Sequence, residues 1–169
     1  MTTTSPDPSL VRRFIAACTR IPDSAIALLA RFSIAAVFWK SGQTKVEGLA
    51  IDLVGGELHL GWPHLSDSAV ALFQQEYKLP LLPPELAATL AACAEHVFPV
   101  LLLLGLATRL SALGLLGMTL TIQLFVYPDA YPTHGTWAAL LLYLVAQGPG
   151  KLSVDAWIAR RRGWYLLHI

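Results

Sequence analysis

Charged side chains are what this sequence has least of. Asp, Glu, Lys and Arg make up 14% of its 169 residues, against 55% hydrophobic residues and a mean hydropathy of +0.56. A soluble domain carries about 25% charge, so the composition argues against a soluble fold. Disorder is excluded too, because it needs low hydrophobicity and a high net charge, and this chain is nearly neutral at +1. The same balance gives no basic footprint for nucleic acid. Cysteine is nearly missing: Cys18 and Cys93 stand far apart with no Cys-x-x-Cys or Cys/His spacing, which leaves no disulfide framework and no structural zinc pattern. With only two methionines, a Met-rich copper pathway has no ligands.

What the chain has is long apolar runs. About 20 mostly apolar residues cross a bilayer core of about 30 Å, and four stretches approach that length: 24–44, 86–108, 110–128 and 133–148. Between Ala25 and Trp39 the first holds a single charge, Arg31; the second has Glu95 and His96 near its middle; the third has none; the fourth carries His134 at its start. The N-terminus lacks the pattern of a cleavable signal. Arg12, Arg13 and Arg20 precede the first run, Arg109 lies between the second and third, and Lys151, Arg160, Arg161 and Arg162 follow the fourth. By the positive-inside rule both termini are expected in the cytoplasm of a multi-pass protein of a bacterial inner membrane.

The connections differ. Ala107 to Arg109 joins the second and third runs so tightly that they must form an antiparallel hairpin. The segment 46–84 reads as a long extracytoplasmic loop, punctuated by Gly55-Gly56, Gly61-Trp62-Pro63, Pro80 and Pro83-Pro84. Within it Ser66 is placed to cap a short helix carrying Val70, Phe73 and Tyr77, lying on the membrane or folded over the helices. After Gly148-Pro149-Gly150, Ser153 starts a short amphipathic helix in a cytoplasmic tail, 149–169, whose Arg160–Arg162 cluster suits anionic headgroups. The expected fold is thus all-α: one membrane domain over 1–169, a polytopic four-helix bundle with a long outer loop between its first two helices.

Several landmarks also carry a family resemblance: Arg31, Gly42-Gln43-Thr44-Lys45, Glu95, Gly105-Leu106-Ala107-Thr108-Arg109 and Gly148-Pro149-Gly150-Lys151-Leu152-Ser153. Over about 25–155 the sequence resembles the DoxX family of small four-helix bacterial membrane proteins. The resemblance implies a link to redox chemistry through quinone and thiol systems, with soluble or membrane partner proteins; some members are encoded beside peptide-based metal-handling systems. It implies no redox centre in the chain itself, so quinone or partners would supply the electron chemistry.

The polar residues inside the runs are the candidate site. At 100° per residue Arg31, Ala35, Phe38, Gly42 and Lys45 fall within about 40° of one line, and Lys40 points the opposite way as an interfacial anchor. A charge at the bilayer centre costs about 2.5–3.5 kcal/mol on insertion scales, so Arg31 and Glu95 should face the bundle interior. Placed near mid-membrane, Glu95 comes within reach of Arg31, either as a buried ion pair that fixes helix register or as a proton relay in a polar cavity. Pro99 cannot bond the carbonyl of Glu95, which should kink the helix there. His96 is either a structural imidazole bonded to another helix or a proton carrier beside Glu95. Thr119, Gln123 and Tyr127 form a polar stripe, with Ser111, Gly114 and Gly117 as a small-residue surface. A quinone headgroup would use Gln123, His134 or Lys45 as donors and Trp137 or Phe38 for stacking, with His96 nearby.

The remaining histidines have no helical metal-ligand spacing, so no metal site is assigned. Cys93 is expected to be buried in apolar, Ala-rich surroundings and so inert as a nucleophile. Three functions follow: a membrane subunit of a quinone- or thiol-linked redox system; a non-catalytic anchor or assembly subunit for a partner; and a small-molecule carrier, the last without the internal repeat that alternating access uses. A homo-oligomer is compatible with each.

Overall fold

A computed structural model describes residues 8–52 and 55–162. The end of the tail, 163–169, therefore lies outside the described residues. The chain is mostly helical: α1 (Pro8–Cys18), α2 (Asp23–Gln43), strands β1 (Val46–Asp52) and β2 (Glu57–Leu65), α3 (Asp67–Leu72) continued by a π-helical turn at Phe73–Tyr77, α4 (Pro84–Leu104), α5 (Thr108–Phe125), a 3-10 turn at Pro128–Ala130, α6 (Tyr131–Gln147) and α7 (Val154–Arg161). Three of these, α2, α4 and α5, are long and apolar enough to cross a membrane. α6 has 17 residues, at the lower end of the usual range of about 17–25.

Local chemistry sets the helix ends. α2 begins after Pro22 with Asp23 in its first turn, and α4 begins on Pro84 with Glu85 next; proline fits a first helical position and the acids complement the helix dipole. Gly105 at φ 66° ends α4 at Leu104, short of the expected 108, because a left-handed residue releases the last carbonyls from the helical ladder. Ala107 is also left-handed, at φ 48°, and between these two residues the chain reverses into α5. α4 runs through the internal Pro99 as one helix.

α2 packs on α4 and on α6, and α5 packs on the same two helices. The side chains they enclose include Ile34, Ala35, Phe38, Leu102, Ala112, Leu115, Leu141 and Leu144. On α2 the buried positions are Ala27, Ala30, Arg31, Ile34, Ala35, Phe38 and Gly42; on α4 they are Ala87, Ala88, Ala92, Glu95, Pro99 and Leu102. Both sets follow the 3–4 residue spacing of a single helix face.

The segment 46–84 corrects the all-α expectation. β1 and β2 pair antiparallel, with Leu49 opposite Leu60 and Ile51 opposite Leu58, and the register slips between Glu47 and Leu49. Gly55-Gly56 is the turn of this hairpin rather than loop punctuation, and the register slip at Gly48 disrupts the alternation that marks a strand. Two side chains of α2 hold the sheet in place at one residue: Trp39 Nε1 donates to the carbonyl of Ile51 at 3.0 Å, and the amide of Ile51 donates to Gln43 Oε1 at 2.7 Å. Ser66 caps α3 as expected, its Oγ accepting from the amide of Ala69 at 3.2 Å. That helix folds over the others instead of lying apart: buried Phe73 packs with Ala87 and Ala88, flanked by Leu65, Tyr77 and Leu79.

Candidate functional site

The polar residues of the helices gather at two levels. The first is at the end that carries the hairpin. Lys45 follows the C-cap of α2, its amide bonded to the carbonyl of Gly42 at 2.9 Å and its own carbonyl accepting from Ser66 at 3.0 Å. Its side chain turns inward and is 5% exposed, with Nζ 2.7 Å from Oε2 of Glu95, which is 3% exposed. Ser41 closes a triangle: it accepts from Lys45 Nζ at 3.0 Å and donates to Glu95 Oε1 at 3.0 Å. Gly42 makes room for this contact, since a Cβ there would stand 2.9 Å from His96 Cε1 and 3.0 Å from Glu95 Cβ.

Beside it lies His96. Its Nδ1 is 2.7 Å from the carbonyl of Ala92, and a carbonyl only accepts, so Nδ1 carries the proton. Nε2 then accepts from Gln43 Nε2 at 2.9 Å, and Gln43 passes the chain of bonds to Ile51. The His96 ring meets Trp39 edge-on at 5.1 Å. Trp39 and His96 also line a cleft of about 640 Å³ between the hairpin and α4, walled by Leu49, Leu65, Val97 and Leu101 among others. Cys93 lines it too and is exposed, not buried as expected, because it lies off the inward face of α4.

The second level is at the opposite end, where the chain leaves α6. Arg31 is 2% exposed and donates to the carbonyls of Pro149 and Leu152, each at 2.9 Å. Asp155 accepts from the amides of Ala107 and Thr108 at 2.8 and 2.9 Å, capping α5, and its own amide bonds the carbonyl of Gly105. A Cβ at Gly105 would lie 2.4 Å from Arg31 Nη1. The buried guanidinium thus holds the Gly148–Ser153 turn, and Asp155 holds the Gly105–Arg109 turn beside it.

Arg31 and Glu95 both face inward, as their charge requires, but each has other partners. Ten residues separate Arg31 from Ser41 on α2, about 15 Å along a helix. Glu95 stands at the level of Ser41 because the first turns of α4 extend past the end of α2 to pack under α3. Aligning the ends of the two helices places Glu95 too deep. The partner, Lys45, lies on the α2 face already identified as inward, and that is the signal for it.

The other candidate ligand residues form a separate group. His134, 5% exposed, bonds Gln123 Oε1 through Nδ1 at 2.7 Å, and Gln123 Nε2 donates to the carbonyl of Pro128 at 2.6 Å. The rings of His134, Trp137 and Phe38 pack in sequence at tilted angles, with centroids 5.1 and 5.6 Å apart. Thr119 is buried as the stripe predicts and bonds the carbonyl of Leu115. Tyr127 leaves that stripe, since α5 ends at Phe125; its hydroxyl donates to Glu76 Oε1 instead. Gly114 lies against Phe98, whereas Gly117 has nothing near it and is no packing surface. Outside the helices, hydrogen bonding to Glu76 raises the Tyr127 hydroxyl pKa above its ordinary value, with burial adding to the effect; burial raises that of Tyr77. Among the described residues no three His, Cys, Asp or Glu side chains converge.

The family model described as DoxX matches residues 26–128. An uncharacterized protein of Haemophilus influenzae is 29% identical over 143 residues, covering 79% of this chain and 83% of that protein. No solved structure gives a significant match.

Proposed function

The chain belongs to the DoxX family, and from that premise we propose that it is a four-helix subunit of a bacterial inner-membrane redox system, handling protons beside an electron transfer to quinone. Its arginine-rich end, with both termini, faces the cytoplasm, and the hairpin faces outward. α6 completes the bundle as the fourth span.

The observation that carries this reading is the Lys45–Glu95–Ser41 triangle, almost without exposure between apolar helices. An ionisable residue buried among membrane-spanning helices marks a candidate functional group. Glu95 takes up or releases a proton as the charge nearby changes, and Lys45 and Ser41 hold its carboxylate in position.

A quinone headgroup does not fit among Gln123, His134, Lys45, Phe38 and Trp137 as they stand, because Gln123 and His134 bond each other and Lys45 is engaged by Glu95 and Ser41. The cleft beside His96 fits better. Its 640 Å³ lies within the range of about 300–1,000 Å³ for ligand pockets, its walls are largely apolar, and His96, which lines it, is the neighbour of Glu95 on α4. A bound quinone would supply the electron-accepting chemistry; Trp39, Leu49, Val97 and Leu101 would hold it, and His96 would border it.

The test is binding of a ubiquinone analogue to purified protein in nanodiscs, comparing wild type with E95Q and with V97W, which fills the cleft. The reading expects V97W to lose binding and E95Q, destabilised but assayed as the folded fraction in nanodiscs, to lose the pH dependence of analogue binding. Equal binding by wild type and V97W contradicts it.

One observation favours a second reading, an anchoring or assembly subunit. Leu58, Leu60 and Trp62 alternate along β2 and are 69%, 72% and 89% exposed, on a strand paired only with β1 among the described residues. An open strand edge with an apolar face is a template for a partner's strand. On that reading L60S/W62S loses a co-purifying protein and leaves quinone binding unchanged.

A further inference from the structure

α1 plays no part in either level of polar contacts, yet its pattern is the most polarised in the chain. At 100° per residue Leu10, Val11, Phe14, Ile15 and Cys18 occupy an arc of about 140°. Ile21 joins them, because bonds from Thr19 to Ile15, Arg20 to Ala17 and Ile21 to Cys18 carry the helical path up to Pro22. Arg12, Arg13, Thr19 and Arg20 occupy the opposite arc, with Ala16 among them. No acidic residue occurs between Ser9 and Pro22.

The apolar face is open. Phe14 is 72% and Leu10 65% exposed, and Val11, Ile15 and Ile21 are each more than half exposed. A contiguous apolar face of this kind marks a docking surface, and two features identify what it docks on. Only four residues lie between Cys18 and Asp23, the start of α2, so the end of α1 stays within about 17 Å of the point where that span enters the bilayer. Its charge is wholly positive, and it shares its end of the molecule with a second basic element, α7, where Arg161 lies 4.2 Å over the half-exposed Trp157.

We propose that α1 is an interfacial helix of the same membrane, its apolar face sunk to the acyl boundary and Arg12, Arg13 and Arg20 set against anionic lipid phosphates. This rests on α2 crossing the bilayer and is independent of any redox role. Loss of quinone binding would leave it standing, and its own failure would leave the redox reading intact.

The test uses full-length protein in nanodiscs containing phosphatidylglycerol. With Cys93→Ala, a nitroxide on Cys18 reports the apolar face; in C18S/C93A, a nitroxide on Ala16→Cys reports the polar face. Collision with oxygen, which enters hydrocarbon, is compared with collision with a water-soluble nickel chelate. The Cys18 label should favour oxygen over nickel severalfold more than the Ala16→Cys label, and R12Q/R13Q/R20Q should lower that ratio severalfold. A Cys18 label as open to nickel as its counterpart overturns the proposal, as does a ratio unchanged by removing the arginines. Shielding of Cys18 that comes with dipolar coupling between labels, and persists in detergent without lipid, also overturns it by showing a second copy on this face.

Discussion

At the scale of single residues, small side chains matter because they let charged ones meet. Gly42 and Gly117 both sit in helices and read alike in sequence, but only Gly42 faces a neighbour, within 3.0 Å of Glu95 and His96 if given a Cβ. G42A should therefore cost about 1–3 kcal/mol through overpacking, whereas G117A should be neutral or gain up to about 1 kcal/mol of helix propensity; unfolding in mixed micelles measures both. Arg31 makes a second kind of case. Its guanidinium bonds the carbonyls of Pro149 and Leu152, and a hydrogen bond to a charged group is worth about 1.5–3 kcal/mol. R31M should lower stability by that order while leaving the Lys45–Glu95 contact intact. That Arg31 and Glu95 face inward was legible from the cost of exposing charge to lipid. Their partners were not, because pairing depends on how far one helix slides past another, and no periodicity records that.

Among the elements, the hairpin is attached to the helices by side chains and not by a broad core. Ile51 is held through both of its backbone groups, so Q43A should speed hydrogen exchange at the Ile51 amide. T44A should leave that rate unchanged, since Thr44 Oγ1 bonds only the local carbonyl of Ser41. α5 depends on a residue 47 positions away: Asp155 accepts from its first amides, and D155A should cost about 0.5–2 kcal/mol, as losing a cap does. The π-turn after α3 is tied to the α5–α6 connection by Tyr127 and Glu76. Tyr127 is neutral when it donates, and its pKa is raised. The tie is therefore fully present below the ordinary tyrosine value of about 10 and is lost as pH rises through the raised value. Absorbance titration of tyrosinate should show a late-titrating fraction that Y127F reduces by one group. The long helices α2, α4, α5 and α6 were legible to within a few residues from their apolar length. The hairpin was signalled by Gly55-Gly56 beside the alternation of Leu58, Leu60 and Trp62, a pattern that Gly48, Gly61 and Pro63 obscured. Likewise, the period of Leu10, Val11, Phe14, Ile15 and Cys18 marks α1 in the sequence.

Taken as a whole, the molecule is an apolar helix assembly with a polar lock at each end, Lys45–Glu95–Ser41 under the hairpin and Arg31 with the Asp155 cap at the tail. Lipid tails are as apolar as leucine, so helices in a bilayer associate through close packing and polar contacts, with no hydrophobic drive between them. Small residues along the α2 and α4 faces supply the packing, and the two locks supply register. Between the locks, Ile34, Phe38, Leu102, Leu115 and Leu141 leave no charge to pair. The central claim is that Lys45 and Glu95 neutralise each other inside the protein, and a double-mutant cycle of unfolding free energies over K45M, E95Q and K45M/E95Q in bicelles tests it most directly. Removing one partner of a buried pair strands the other at a cost of about 3–5 kcal/mol, and replacing both is far milder. The account predicts two severely destabilised single variants and a double variant closer to wild type than either. Single-variant losses that simply add in the double, within about 0.5 kcal/mol, would contradict it.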